Sequence, residues 1–385
     1  MSYTVSQIML ALIRAEICGV ELEPQLLVAI DAEMLSELYK SSKLHDMAHI
    51  LSSALSLHGI KSEIFAKEEM IAVYRHAQFR HEAERIYPAL EAAKIPYIPL
   101  KGSVIRPYYP RPEQRTSSDI DILVHEEDVE RASRVFTDTL GFAPDVRTAH
   151  DVSFMSASKT HVELHFDLIE EGHAKNFDGL RAVIETVWQD AKIDTGAGYR
   201  YVMSPEMFAF YHIVHMANHF NAGGCGIRPF VDLWIMKHKM GYDRSGLFEL
   251  LRRAGLEPFG REMLLLSDVW FDGASHTELT EKIERYIIDG GVYGNIENRV
   301  NLYSAKRGGG IKFILSRMFL PFGVMKKQYP KLEKFPILLP FYHLRRWCRI
   351  LFRDRRKVKS AVRACGNINN EKKDDMADLI SRLGL

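Results

Sequence analysis

Cysteine is scarce and scattered in this chain. Cys18, Cys225, Cys348 and Cys365 are the four, and no two form a CxxC pair. Their spacing argues against a disulfide framework and against a structural zinc site. It suits a reducing compartment, so the expected location is the cytoplasm. An excess of charge of either sign is also missing: 51 Lys and Arg oppose 50 Asp and Glu, which leaves no global field for a polyanion. No uncharged apolar run is long enough to span a bilayer. The opening "MSYTVSQIMLALIRAEICG" lacks a basic leader, and Arg14 and Glu16 interrupt its apolar patch. It reads as an amphipathic helix and not as a signal peptide. The sequence contains no internal repeat and no low-complexity tract.

What is present is ordinary globular composition, 46% hydrophobic and 26% charged, over a length that allows two or three domains. Residues 1–85 read as a helical region. Apolar residues recur at three-to-four spacing through "PQLLVAIDAEMLSELYKSSKLHDMAHILSSALSLHG", with a helix stop at Gly59. Residues 86–195 alternate. Strand "IPYIPL", strand 118–124 and helix "EEDVERASRVFTDTLGF", closed by Gly141, are followed by strands "HDVSFMS" and "THVELHFDLI". That order indicates a small α/β unit. Residues 196–300 turn helical again, and "KRGGG" at 306–310 reads as a flexible joint in a last helical region, 301–385.

The strand in "RTSSDIDILV" raises a physical question. Side chains alternate along a strand, so Asp119 and Asp121 share one face while Ile120, Ile122 and Val124 face a core. Two neighbouring carboxylates repel and are costly to desolvate, and a cation between them removes both problems. Mg²⁺ is held this way, completing its shell with water and phosphate oxygens. Alone, the pair equally describes a surface strand with its polar face in water. "THVELHFDLI" adds to it: Val162, Leu164, Phe166 and Leu168 take one face, and His161, Glu163, His165 and Asp167 the other. Beside the first strand, Glu163 completes a three-carboxylate cluster able to accept a proton from an attacking hydroxyl, with His165 and Asp167 as rivals. "PLKGS" is the third element. Gly102 and Ser103 turn from a strand end toward a helix start that suits an anion, with Lys101 and Arg115 as side-chain charge.

Together these elements resemble the DNA-polymerase-β-like nucleotidyltransferase superfamily and, within it, the family of uncharacterised nucleotidyltransferases. The likeness rests on "IPYIPLKGSVIRPYYP", "RTSSDIDILV", "VELHFDL" and "HMANHF…GIRPFVDLWIM", in that order. It implies an α+β fold, a small mixed-sheet nucleotidyltransferase core flanked by N- and C-terminal helical regions. It also implies transfer of an NMP from an NTP, ATP first among them, with release of pyrophosphate. Asp119, Asp121 and Glu163 would hold Mg²⁺ or Mn²⁺, and Gly102 and Ser103 the β and γ phosphates. Glu163 would align or deprotonate the acceptor. His165, His215, His219, Arg228 and Asp232 would line the substrate. The acceptor stays open among a small molecule such as a sugar phosphate, a protein side chain and an RNA end. One departure stands out: Val104 to Ser118 is longer than in compact members, so "YYPRPEQR" is expected as a loop over the site.

Two other readings compete. One is a catalytically inactive nucleotide-binding or regulatory module on the same fold. The other is a zinc hydrolase built on His212, His215 and His219, although no HExxH pattern accompanies them. A buried network, with His215 or His219 bonded to Asp232 and Arg228 nearby, is the simpler expectation for these histidines. The basic stretch "HLRRWCRILFRDRRKVKSAVR", 343–363, suggests nucleic acid or a membrane surface. The simpler reading packs Leu344, Trp347, Ile350, Leu351 and Phe352 against the body.

Overall fold

A computed structural model describes residues 3–169, 176–292, 294–307, 309–353, 363–366 and 370–385. Four helices open the chain: α1 (Val5–Cys18), α2 (Pro24–Val28), α3 (Ala32–Leu44) and α4 (Ala48–Leu57). Thr4 and Gln7 close a capping box at the start of α1. The periodic stretch after residue 24 is three helices. Asp31 caps α3 by accepting from the Met34 amide, and Asp46 at φ +54° separates α3 from α4. Gly59 ends the run at φ +78°, as expected. Helix α5 (Glu63–Ala92) then crosses the molecule.

A five-stranded mixed sheet follows, in the order β1-β2-β5-β4-β3. Its strands are β1 (Tyr97–Pro99), β2 (Asp119–Val124), β3 (Ala143–Arg147), β4 (Asp151–Met155) and β5 (His161–His165). β2 and β5 pair in parallel, and the other pairs are antiparallel. The fold is therefore α+β, as the resemblance implies. β3 escapes the sequence reading because every one of its residues is exposed. A solvated edge strand carries no burial alternation. β5 ends at His165, so the alternation expected through Leu168 stops there. Phe166 is half-buried, and Leu168 packs into a different core from Val162 and Leu164.

One face of the sheet is apolar. Ile120, Ile122, Val124, Val162 and Leu164 pack on Ile86 and Leu90 of α5 and on Val129 and Ala132 of α7 (Val129–Arg134). The short turn α6 (Gly102–Ile105) lies between β1 and β2. After the sheet come α8 (Phe177–Ile184), α9 (Val187–Asp190), α10 (Pro205–Asn221), α11 (Arg228–Ile235), α12 (Arg244–Arg253), α13 (Glu257–Phe271), α14 (Glu278–Gly290) and α15 (Ile296–Arg307). A second and larger core joins Ile8, Leu12 and Leu51 of the opening helices to Phe210, Phe230 and Phe259. The helix Asn370–Leu383 returns to it through Leu379 and Leu383.

Two sequence expectations change here. "YYPRPEQR" is no loop over the site. Tyr109, Gln114 and Arg115 are buried, and Arg111 bonds Glu16 and Glu69 of the helices beneath. The strap ties the opening helices to the sheet. In the basic stretch, Leu344 is exposed and not packed, while Trp347 donates to the Met318 carbonyl. Residues 354–362 lie outside the described residues, as do the side chains of Leu351 and Phe352. At 306–310, α15 ends and the helix Gly310–Met318 begins, with Gly309 at φ +77°.

Candidate active site

Register decides what the polar face of the sheet presents. β2 and β5 pair Asp119 with His161, Asp121 with Glu163 and Leu123 with His165. Paired residues share a face. The two strands therefore bring three carboxylates and two imidazoles together. Two triads result, Asp119–His161–Glu163 and Asp121–Glu163–His165, each with its candidate ligand atoms within 4.8 Å of one another.

Asp121 is the buried member, and Asp119 stands nearer to solvent. Burial alone would raise the Asp121 carboxyl. Lys101 and His165 reverse that and hold it well below the usual carboxylate range. Lys101 Nζ lies 2.8 Å from Asp121 Oδ1, and His165 Nε2 lies 3.1 Å from the same oxygen. Burial lowers the basicity of His165, but Asp121 and Glu163 win, and its pKa rises to about 9. Glu163 Oε2 is 3.3 Å away.

The β1–α6 turn aims Lys101. The Leu100 amide donates to the Asp121 carbonyl, and Lys101 then adopts φ +47°, ψ −118°. A residue with a Cβ is strained there, by about 1–3 kcal/mol, and holds the conformation only where its surroundings impose it. Here the Asp121 ion pair and the α6 turn do so. The Ser103 amide does not face outward as expected. It donates to the Leu100 carbonyl inside the turn.

Gly102 faces a cluster of cations that the sequence did not reveal in full. A Cβ on Gly102 would stand 3.3 Å from Ser117 Oγ and 3.6 Å from both Arg106 Nη2 and Arg115 Nη1. Arg106 is 4% exposed, its Nε has no partner, and its guanidinium stacks 3.6 Å over the Phe79 ring. Burial and the neighbouring Arg115 and Arg228 push its pKa down to about 9. Burial and Arg115 also lower that of Arg228. Among the described residues Arg106 has no ion pair, and its Nη2 donates to Ser117 Oγ at 2.7 Å. Ser103 Oγ is buried without a well-formed hydrogen bond. Arg106 was missed, although its place four residues after Gly102, one helical turn on, was a usable signal.

Arg115 is differently placed from the expectation. Its Nε donates to both Asp232 oxygens, at 2.8 and 3.0 Å, and Tyr109 adds a third bond to Asp232. Asp232 therefore pairs with Arg115, and not with His215 or His219. His219 Nε2 meets His215 Nε2 at 3.2 Å, and His212 Nε2 bonds the Pro229 carbonyl. Burial and the field of Lys101 keep His215 well below its ordinary pKa, as a neutral ring beside the carboxylates. Among the described residues the three histidines of α10 are thus not turned to one point. Asp167 is drawn away by Arg181 at 2.6 Å. Arg228 bonds Asp46 at 3.3 Å and the Thr116 carbonyl at 3.1 Å.

A cavity of about 490 Å³ opens beside Asp119 and Ser117. Lys43, Arg75, Lys159 and Arg228 line it, against the carboxylates Asp46 and Asp119. Lys43 comes from the end of α3, Asp46 from the turn after it and Arg75 from α5, so the opening helices form one wall. Nothing in their local pattern separates these residues from ordinary surface charge. Three of its cations have carboxylate partners, Lys43 with Glu68 and both Arg75 and Arg228 with Asp46.

Comparison with known proteins identifies the family. A family model described as uncharacterised nucleotidyltransferase matches residues 31–272, well over half of the chain. No curated protein matches, and no solved structure does.

Proposed function

The chain belongs to the uncharacterised nucleotidyltransferase family, and from that premise we propose that it moves a nucleoside monophosphate from an NTP to an acceptor hydroxyl. The observation that carries this reading is the β2–β5 register, which sets Asp119, Asp121 and Glu163 on one face, with Asp119 at the wall of the basic cavity. Asp119, Asp121 and Glu163 are the residues that would hold Mg²⁺ or Mn²⁺, since clustered carboxylate oxygens suit those ions. When bound, the ions neutralise the triphosphate and the charge that develops at phosphorus.

The chain's own groups supply the rest. Gly102 lets the backbone pass close to Ser117 and Arg106, and Arg228 adds charge at the cavity wall. Glu163 takes the proton of the acceptor hydroxyl as its oxygen attacks the α-phosphorus. The bond from that phosphorus to the bridging oxygen breaks, and pyrophosphate leaves with the electron pair. His165 lies between Asp121 and Glu163, at 3.1 and 3.3 Å, so it fixes those two carboxylates and is a positioning group and not the base. Asp167 is tied to Arg181. Glu163 is therefore the better base. ATP is the first NTP to test, and the acceptor is a small molecule, a protein or an RNA.

One observation favours the reading of a binding module without transfer: Lys101 and His165 already neutralise Asp121. The deciding experiment incubates the protein with each α-labelled NTP, Mg²⁺ or Mn²⁺, and cell extract as acceptor pool. Label transferred by wild type and not by an Asp119→Ala, Asp121→Ala variant supports transfer and tags the acceptor. Metal-dependent NTP binding without transfer in any extract favours the module. Neither binding nor transfer overturns both. Glu163→Gln is expected to lower turnover by about 10²–10⁴-fold while NTP affinity stays within a few-fold. Equal loss of both would make Glu163 chiefly a metal ligand.

A further inference from the structure

We propose that residues 310–350 form a docking surface for an anionic lipid bilayer. No helix of the described residues is long and apolar enough to cross a membrane, so the contact is peripheral. From 309 to 350 the sequence holds nine Lys and Arg against a single carboxylate, Glu333. The same stretch concentrates exposed apolar surface. Ten of the 22 exposed large apolar side chains among the described residues lie between Leu315 and Leu344, and Ile337 is 87% exposed.

The helix Leu339–Arg353 shows how the two features combine. Tyr342 and His343 are buried, and Arg346 and Trp347 donate to the carbonyls of Arg317 and Met318. Those contacts fix the inner side. Helical periodicity then gathers Phe341, Leu344, Arg345, Cys348 and Arg349 on the outer side, all exposed. Ile337 and Leu338 project just before it, in a turn of the chain between Pro336 and Pro340. Apolar side chains bordered by cations are the pattern of an interfacial helix, with the apolar groups at the acyl boundary and the cations at the headgroups.

Charge and chemistry select the occupant. A second copy of this face would set Arg345 and Arg349 against their own kind with no carboxylate between them, which repels. A nucleic acid would neutralise the cations but leave Ile337, Leu338 and Leu344 without partners, since strand-binding platforms use stacked aromatic rings. An anionic bilayer satisfies both sets. This inference is independent of the transfer reading and can fail or hold by itself.

The test is flotation of the full chain with vesicles. The expected result is co-flotation with equal parts phosphatidylcholine and phosphatidylglycerol, and none with phosphatidylcholine alone. Arg345→Ala with Arg349→Ala should weaken partitioning by about 25-fold, from roughly fivefold per cation. Ile337→Ser with Phe341→Ser should weaken it by about tenfold or more. A second measurement needs no loss of surface residues. Cys348 is the exposed cysteine, so an environment-sensitive dye placed there should shift to the blue on anionic vesicles. Absence of flotation and of the shift overturns the proposal. So does flotation indifferent to both double variants. A dimer lost on Ile337→Ser with Phe341→Ser, without flotation, assigns the face to a second copy. RNA retention with no vesicle binding assigns it to nucleic acid.

Discussion

At the scale of single residues, the molecule separates charges that are compensated from charges that are not. Arg106 belongs to the second kind, with Arg115 and Arg228 near it and no carboxylate of its own. Arg106→Met should therefore leave stability unchanged or raise it, because a desolvated charge is removed. The same change should weaken NTP binding by about 10–100-fold, the worth of a charge-assisted hydrogen bond. Calorimetric titration beside a thermal melt separates the two effects. A large fall in Tm with unchanged affinity would make Arg106 a packing residue. His45 gives a pH prediction of a different kind. It is buried, its Nε2 meets the Ile288 carbonyl at 3.1 Å, its Nδ1 has no partner, and burial pushes its pKa down to about 4. An unfolded histidine titrates near 6.5. Between those values the unfolded chain binds a proton that the fold refuses, so stability is full above the unfolded pKa and falls as pH drops through it. The loss approaches roughly 3 kcal/mol by the lower value. Urea midpoints from about pH 7 to about pH 5 should fall less for His45→Gln than for wild type. Equal slopes would remove His45 as the cause. His49, also buried with a lowered pKa, contributes in the same direction.

At the scale of elements, the strap from Val104 to Ser118 joins the opening helices to the sheet. Arg111 holds Glu16, which is nearly buried, while Arg111 itself is reached by solvent. Arg111→Ala should cost about 2 kcal/mol, mostly as the penalty on a Glu16 left with Gln114 as its donor. Glu16→Gln in the same chain should recover part of it, and denaturant midpoints of the double-mutant cycle measure the coupling. Additive losses would show that the pair does not interact. The strap also marks the limit of what the sequence discloses. Asp119, Asp121 and Glu163 were legible because strand alternation fixes faces, and two alternating strands that pair must bring their polar faces together. Gly102 was legible because a strand ending in Gly-Ser calls for a turn. The partner of Asp232 was not. Arg115 lies far from it in sequence, and only the buried course of the strap brings the guanidinium there. The same holds for Lys43 and Arg75, whose spacing on α3 and α5 is that of ordinary surface charge. β3 gave no alternation to read, because solvent covers both of its faces.

At the scale of the whole molecule, the larger core contains residues from the first helix, from α10 to α14 and from the last helix. These segments share buried surface, so they should unfold together. Hydrogen exchange should give the amides of α1 and α10 the same opening free energy, and early loss of α1 protection alone would contradict this. The order in which such a chain is made has a consequence for its chemistry. Asp119 and Asp121 leave the ribosome before β5 exists, and the antiparallel strands β3 and β4 must be made before β5 can lie along β2. The wall formed by Arg228 arrives later still, although the opposite wall, from α3 and α5, is already waiting. A nascent chain therefore carries the carboxylates without the register that turns Glu163 toward them. The proposed transfer would, in this sense, be timed by translation: a truncated or stalled product is expected to hold the acidic residues and to be silent.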